Sequence, residues 1–315
     1  MNRGDAGKIV GVGRALGGKV VTNHDLGKVL DTDDAWIMER TGIKERCFVA
    51  NEEDCATLAA DASKRALKHA RLEGEAIDLI LCATSTAPES MPSVACLVGE
   101  AVGAPGAGAM DLTAACAGYS YAASVADSML KSGAARRVLL VGADVMTTIV
   151  DQKDPSTAVL FGDGAGAVVL ERGSGESGFV DHILGADGQM AALLRAGHPG
   201  SSEKLYQNGR EVFKWAVRIF PEMVEKLLAR NGVSPEEVQY IIPHQANTRI
   251  IQAAVRKMEI PEEKIVVNLN RFGNTSAASI PISYPDIYDD FEPGKYVITA
   301  GFGAGLTWAA NLYRI

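Results

Sequence analysis

Asp111-Leu112-Thr113-Ala114-Ala115-Cys116-Ala117-Gly118-Tyr119-Ser120-Tyr121-Ala122 changes pattern in its middle. Met110 and Leu112 read as the end of a buried strand. From Cys116 onward the residues are small and helical in spacing: Ala117, Gly118, Ala122, Ala123, Val125, Ala126, Met129, Leu130. Gly133 is placed to close that helix in a left-handed conformation. Cys116 therefore falls at a strand-to-helix turn, where unpaired helix N–H groups favour an anion and a thiol is expected to ionise more easily. Taken alone, such a cysteine reads as a small buried hydrophobe. What overturns that reading is a set of partners elsewhere in the chain.

Outward from this turn, residues 78–86 form a strand that is apolar in the way of parallel-sheet strands, and residues 137–145 form another. Residues 8–13 read as a first strand, whose glycines miss the dinucleotide-binding spacing. Thr32 is expected to cap a short helix that Gly42 ends. That helix sets Trp36 and Arg40 on one face. The pair is either a surface cation–π contact or an indole and a guanidinium that hold an adenine and a phosphate. Residues 56–71 form a helix, and Pro92 opens another near its first position. Residues 157–170 read as two strand-like pieces joined by a glycine-rich turn. No Gly-Lys-Ser/Thr follows it, so it is no phosphate loop. Residues 211–230 are helical, interrupted or restarted at Pro221.

The second half repeats the first. Residues 238–245 match 77–84, residues 266–279 match 110–123, and residues 296–305 match 137–145, each shifted by about 160 positions. A constant shift across three elements implies two related α/β halves, drawn at residues 1–171 and 172–315. Strands alternating with helices imply mostly parallel sheets covered on both faces, with the site where strand C-terminal ends meet. Cys116 follows a strand in the first half, and His244 and Asn274 follow strands in the second. Alone, His244 reads as a structural histidine and Asn274 as a turn or cap residue. A pseudo-twofold would bring all three to one place.

The chain has 315 residues, enough for one large or two medium domains. Its net charge of −8 argues against a general nucleic-acid binder. The five cysteines (Cys47, Cys55, Cys82, Cys96, Cys116) include no C-x-x-C, which reads as reduced thiols in a cytoplasmic protein without a metal site. Residues 1–6 lack the apolar core of a signal peptide, and no apolar run is long enough to span a bilayer.

A thiolate can attack a thioester and hold the acyl group. A neutral imidazole and a carboxamide can donate to one oxygen and stabilise a developing enolate, and Gly301-Phe302-Gly303-Ala304-Gly305 can add backbone N–H groups to an oxyanion hole with that of Cys116. Papain-like proteases also use Cys, His and Asn, but their Cys-Gly-x-Cys-Trp context is absent.

Over essentially its whole length the sequence resembles the β-ketoacyl-(acyl carrier protein) synthase III family of thiolase-like condensing enzymes. The resemblance is carried by Arg40-Thr41-Gly42-Ile43, Ala115-Cys116-Ala117-Gly118, Phe161-Gly162-Asp163-Gly164-Ala165-Gly166, Pro243-His244-Gln245-Ala246-Asn247, Gly273-Asn274-Thr275-Ser276-Ala277-Ala278-Ser279 and the 301–305 motif. It implies a duplicated thiolase-like α/β fold, layered αβαβα with two mixed, mostly parallel sheets. It also implies that an acyl-CoA acylates Cys116, that malonyl-acyl carrier protein loses CO2 with His244 and Asn274 stabilising the enolate, and that the carbanion attacks acyl-Cys116. The amides of Cys116 and Ala304 match the family's oxyanion hole. Trp36, Arg40, Thr41, Phe213, Ala246, Asn247 and Arg249 match positions that hold coenzyme A, which is a substrate here, with no cofactor. Pro155 stands where the family often has an arginine against the adenine. Lys214, Arg249, Arg256 and Lys257 fit a docking patch for the acidic carrier protein, or else a solvated helix face. Met91 and Phe161 fall at the acyl pocket, Met91 where a partner subunit would close it, which implies a homodimer. Two alternatives stay open: a relative from secondary metabolism that uses another acceptor, and a non-catalytic partner subunit.

Overall fold

The computed structural model describes residues 6–173 and 175–315, arranged as two main sheets in five layers. The first sheet contains β1 (Gly7–Leu16), β2 (Leu79–Ala83), β3 (Gly108–Leu112), β4 (Arg137–Val145) and β5 (Asp163–Arg172), in spatial order β1-β5-β4-β2-β3. The second contains β6 (Gly178–Ala186), β7 (Val238–Pro243), β8 (Tyr296–Gly303) and β9 (Thr307–Arg314), in order β7-β8-β9-β6. β2 is buried throughout and β4 everywhere past Arg137. With no polar face to offer to water, both take inner positions.

The two sheets repeat one pairing scheme. β2 is parallel to β4 as β7 is to β8; β4 is antiparallel to β5 as β8 is to β9; and β1 closes the first sheet as β6 closes the second. Among the strands described for the two main sheets, parallel pairing is confined to β2–β3, β2–β4 and β7–β8. β8 turns straight back into β9, and antiparallel returns of that kind need no crossover helix. The one missing counterpart is that of β3. Residues 266–279 contain no strand, only the Phe161–Asn274 bridge, a one-turn helix at Leu269–Phe272 and a 3-10 turn at Ser276–Ala278. Asn268, Asn270, Gly273 and Asn274 are poor strand formers. Asn274 therefore does not follow a strand, contrary to the sequence-based expectation.

The helices of eight residues or more are α1 (Asp34–Thr41), α2 (Cys55–Ala70), α3 (Val94–Ala101), α4 (Gly118–Ser132), α5 (Gly209–Asn231) and α6 (Thr248–Val255). α2 and α3 cover the outside of the first sheet, and α5, joined by α6, covers the second. Between the sheets lie α4 and the 3-10 segment Pro281–Asp286. The small side chains Ala122, Ala123 and Ala126 let both sheets close on α4, and Leu130 fills the space beyond them. Pro281 and Pro285 keep the second central segment from forming a regular helix.

Several local expectations change. The cap of α1 is Asp33, whose Oδ1 accepts from Trp36 N–H at 2.7 Å, and not Thr32; a carboxylate is the stronger cap at a positive helix end. Pro92 lies ahead of the Ser93 cap of α3. α5 runs unbroken through Pro221, held by the burial of Phe220, Met223 and Val224 on either side. Residues 157–170 are not two strands with a turn: a one-turn helix, Pro155–Ala158, precedes the single strand β5. Its glycines serve closeness, since a Cβ on Gly166 would lie 2.4 Å from the Ile282 nitrogen. Residues 1–5, where no signal-like core was read, lie outside the described residues. Among the described residues no helix is long and apolar enough to cross a membrane.

Candidate active site

After β3 the chain bends through the 3-10 turn Ala115–Ala117 into α4. Ala115 sits at φ +47°, a left-handed conformation that costs a residue with a Cβ about 1–2 kcal/mol. The second half makes the same bend at Ser276, φ +51°, about 160 residues later. The two bends meet: Cys116 Sγ donates to Ser276 Oγ at 3.4 Å. The thiol is not the easily ionised group its position suggested. Burial, with a smaller contribution from the Asp144 carboxylate, pushes it up to about 12, and the Ser276 hydroxyl acts the other way. Loss of water outweighs the helix end here.

His244 immediately follows β7, and its backbone N–H donates to Ala300 C=O at 2.8 Å. Its Nδ1 is paired with Ser279 Oγ at 2.8 Å. That oxygen also accepts the Gln245 N–H at 3.3 Å; when the hydroxyl proton is turned to Nδ1, the ring proton lies on Nε2. Phe302 packs edge-on against the ring at 5.4 Å. Burial drives the imidazole down to about 3, so it is neutral. Asn274 is set by a bridge to Phe161 and by its N–H bond to Leu160 C=O at 2.9 Å. Its Oδ1 accepts the Ser276 N–H at 2.9 Å, which leaves the Nδ2 end as the free donor.

Cys116, His244 and Asn274 line one cavity of about 620 Å³, with Phe161, Phe213, Ala246, Asn247 and Ala304 also on its wall. The glycine-rich end of β8 presses on the nucleophile's turn. A Cβ on Gly303 would lie 2.6 Å from Cys116 N and 3.1 Å from Cys116 Cβ, so only glycine allows the approach. This brings Ala304 and Cys116 to the same wall.

Other residues singled out in the sequence lie outside the cavity wall, some tied to it. Trp36 carries Arg40 over its ring at 4.3 Å, and Asn247 Nδ2 donates to Arg40 C=O at 2.9 Å, tying α1 to the cavity wall. Thr41 is buried, with its hydroxyl donating to Ile37 C=O and accepting from Ile43 N–H, so its side chain faces the core. Arg249, Arg256 and Lys257 are exposed at the two ends of α6. Lys214, on α5, pairs with Glu211 at 2.8 Å. Met91 is 79% exposed and is not on the wall of this single chain's cavity. Pro155 starts the one-turn helix capped by Asp154, and Lys153 beside it is exposed. Among the described residues no three metal-ligating side chains come together. Sequence reading missed residues 194–198, Leu205 and Gln207 on the wall, which carry no periodic pattern, and Ser279, which stood inside a quoted motif with no role attached.

Residues 110–188 match the family described as 3-oxoacyl-[acyl-carrier-protein (ACP)] synthase III, and residues 228–315 match its C-terminal part. The chain is 73% identical over 316 residues to the beta-ketoacyl-[acyl-carrier-protein] synthase III of Rubrobacter xylanophilus, covering all of both chains. Its fold superposes on the crystal structure of 3-oxoacyl-[acyl-carrier-protein] synthase III from Aquifex aeolicus with a TM-score of 0.94 at 45% identity, covering 98% of this chain and 100% of that one. The corresponding Pseudomonas aeruginosa enzyme gives a TM-score of 0.93 at 37% identity, with 98% of each chain covered. With a relative this similar along its entire length, and the Cys–His–Asn cavity in the shared fold, the chain belongs to the 3-oxoacyl-[acyl-carrier-protein] synthase III family.

Proposed function

We propose that the chain performs the family's initiating condensation through its own Cys116. Cys116 takes the acyl group from an acyl-CoA primer, and malonyl-acyl carrier protein then loses CO2 in the same cavity. The resulting carbanion attacks acyl-Cys116 to give a 3-oxoacyl-carrier protein. The observation that carries this reading is the meeting of Cys116, His244 and Asn274 on one cavity wall, with both donor groups oriented by neighbours. A neutral Nε2–H and an amide Nδ2–H stabilise an enolate oxygen without bringing a full positive charge, and each such donor is worth about 3–4 kcal/mol in a transition state. The backbone amides of Cys116 and Ala304 serve the oxyanion of acyl transfer.

The rest of the assignment follows the same reading. Coenzyme A enters along Trp36, Arg40, Phe213, Ala246, Asn247 and Arg249, and the basic ends of α6 with Lys214 receive the acidic carrier protein. No cofactor is required. The enzyme works in the cytoplasm as a homodimer. β3 supports the pairing as an open sheet edge whose residues are exposed or half-buried, Met110 among the exposed ones, with exposed Leu97 on the helix packed against it. Incubation with acyl-CoA should add one acyl group to Cys116 by mass, and addition of malonyl-carrier protein should release a product two carbons longer. Acylation without chain extension would favour transfer to another acceptor. No acylation would overturn the reading.

A further inference from the structure

Beside the turn of the second half that meets the nucleophile lies a buried carboxylate that the reaction outlined above leaves unused. Asp144, near the end of β4, is completely buried. Its Oδ1 accepts from Thr84 Oγ1 at 3.2 Å, Ser85 N–H at 2.8 Å and Thr86 Oγ1 at 2.9 Å, all from the segment after β2. Its Oδ2 accepts the Ala277 N–H at 3.0 Å, from the bend of the second half. The hydroxyl of Ser276 lies beside this carboxyl group, and Cys116 donates its thiol proton to that same hydroxyl. Thiol, hydroxyl and carboxyl group thus follow one another, with Ser276 bonded to Cys116 and its neighbour Ala277 bonded to Asp144.

Two observations give the line a purpose. Ser276 sets its hydroxyl against the Cys116 thiol from a left-handed position that glycine would occupy without strain. His244, the other candidate base, has Nδ1 occupied by Ser279 and is held neutral by burial, which makes it a poor proton acceptor. We infer that Ser276 and Asp144 accept the proton of Cys116 during the acyl transfer that primes the enzyme. The inference rests on the acyl-Cys116 reading.

The step balances as follows. Sγ bonds to the acyl carbonyl carbon while its proton passes to Ser276 Oγ and the proton of Ser276 passes to Asp144. The tetrahedral adduct collapses, the bond to the sulfur of coenzyme A breaks, and the leaving thiolate takes a proton from water. When condensation later releases Cys116 as a thiolate, Asp144 returns the proton by the same path. Through acylation the site carries one negative charge, first on Asp144 and then on the adduct oxygen. Without the relay two anions would share a dry site, at a Coulomb cost that rises as water is excluded. Ser276 contacts the reacting sulfur directly, and Asp144 acts through Ser276.

Ser276→Gly tests the relay without disturbing the backbone, because it removes the hydroxyl and keeps the favoured φ. Asp144→Asn is the companion variant, though loss of a buried acceptor endangers its folding. The first readout is the burst of coenzyme A release on mixing with acyl-CoA. The second is condensation by enzyme that has already been fully acylated by long incubation. Ser276→Gly should slow the burst by about 10²-fold, the usual size of a general-base effect, and slow condensation of the acylated enzyme far less. The wild-type burst should show a solvent deuterium isotope effect that Ser276→Gly alters. A burst within threefold of wild type in folded Ser276→Gly overturns the inference, as does an equal loss in both half-reactions, which marks a structural role. A wild-type enzyme that forms no acyl-Cys116 overturns the parent reading and the inference with it.

Discussion

Gly303→Ala probes the closest approach in the site. The added methyl would lie 2.6 Å from Cys116 N and 3.1 Å from Cys116 Cβ, where ordinary contact begins near 3.4 Å. The nearer obstacle is backbone and so is part of the nucleophile's turn. It cannot swing aside like a side-chain tip. Relief requires β8 and the 115–117 turn to part by most of an ångström. Such overpacking costs about 1–3 kcal/mol of stability. The catalytic loss should be larger in proportion, because the same movement separates the amides of Ala304 and Cys116, the two donors proposed for the oxyanion. Losing one such donor costs about 10²–10³-fold in rate, and a 1 Å misplacement alone about 10²-fold. The assay is the stopped-flow burst of coenzyme A release, with a urea titration for stability. Gly188→Ala, where nothing lies within 4 Å of the new methyl, is the control and should change neither measurement. A Gly303→Ala enzyme that folds and acylates within threefold of wild type would refute the proposed geometry of the oxyanion hole.

Four further outcomes are expected. His244→Ala and Asn274→Ala should each retain the coenzyme A burst while CO2 release from malonyl-carrier protein falls about 10²–10³-fold; equal loss in both steps would count against their separate role. His244 is held near 3 when folded, against 6.5 in the unfolded chain, so below pH 6.5 the unfolded state binds a proton that the native state does not, and stability falls as pH drops until the folded value is reached. Between pH 7 and pH 5 this costs the wild type about 2 kcal/mol, and a urea titration should show His244→Gln spared that loss. Trp36→Ala should raise KM for acyl-CoA about fivefold with kcat nearly unchanged, in line with a half-buried ring contact of about 1 kcal/mol. Arg249→Glu with Arg256→Glu should raise KM for malonyl-carrier protein and flatten its salt dependence, since steering onto the patch is electrostatic.

What could be read in the sequence and what could not divide along physical lines. β2, β4 and β8 were legible because buried inner strands must be apolar on both faces, and their short length sets them apart from a buried helix. The duplication was legible because the same pairing scheme needs the same spacing twice. The meeting of Cys116 with His244 followed from that repeat. Asn274 was placed near them for a partly mistaken reason, since the strand expected before it does not form. What positions Asn274 is a bridge to Phe161, 113 positions away in the chain, and no local pattern records such a contact. The state of the thiol was misread for a related reason. A helix N-terminus is a local feature visible in sequence, whereas the desolvation that overrides it comes from parts of the chain far from Cys116. Ser276 joins both lessons. It stood in the Gly273–Ser279 motif as one small residue among several, yet three facts give it weight: a left-handed backbone, a bond to the thiol of the other half, and a carboxylate on the first sheet beside it. Duplication put an equivalent bend beside the nucleophile, and the second copy, freed from carrying a nucleophile of its own, could supply a hydroxyl to the first. The two halves are thus complementary at the site: one contributes the sulfur and the buried acid, the other the group that connects them.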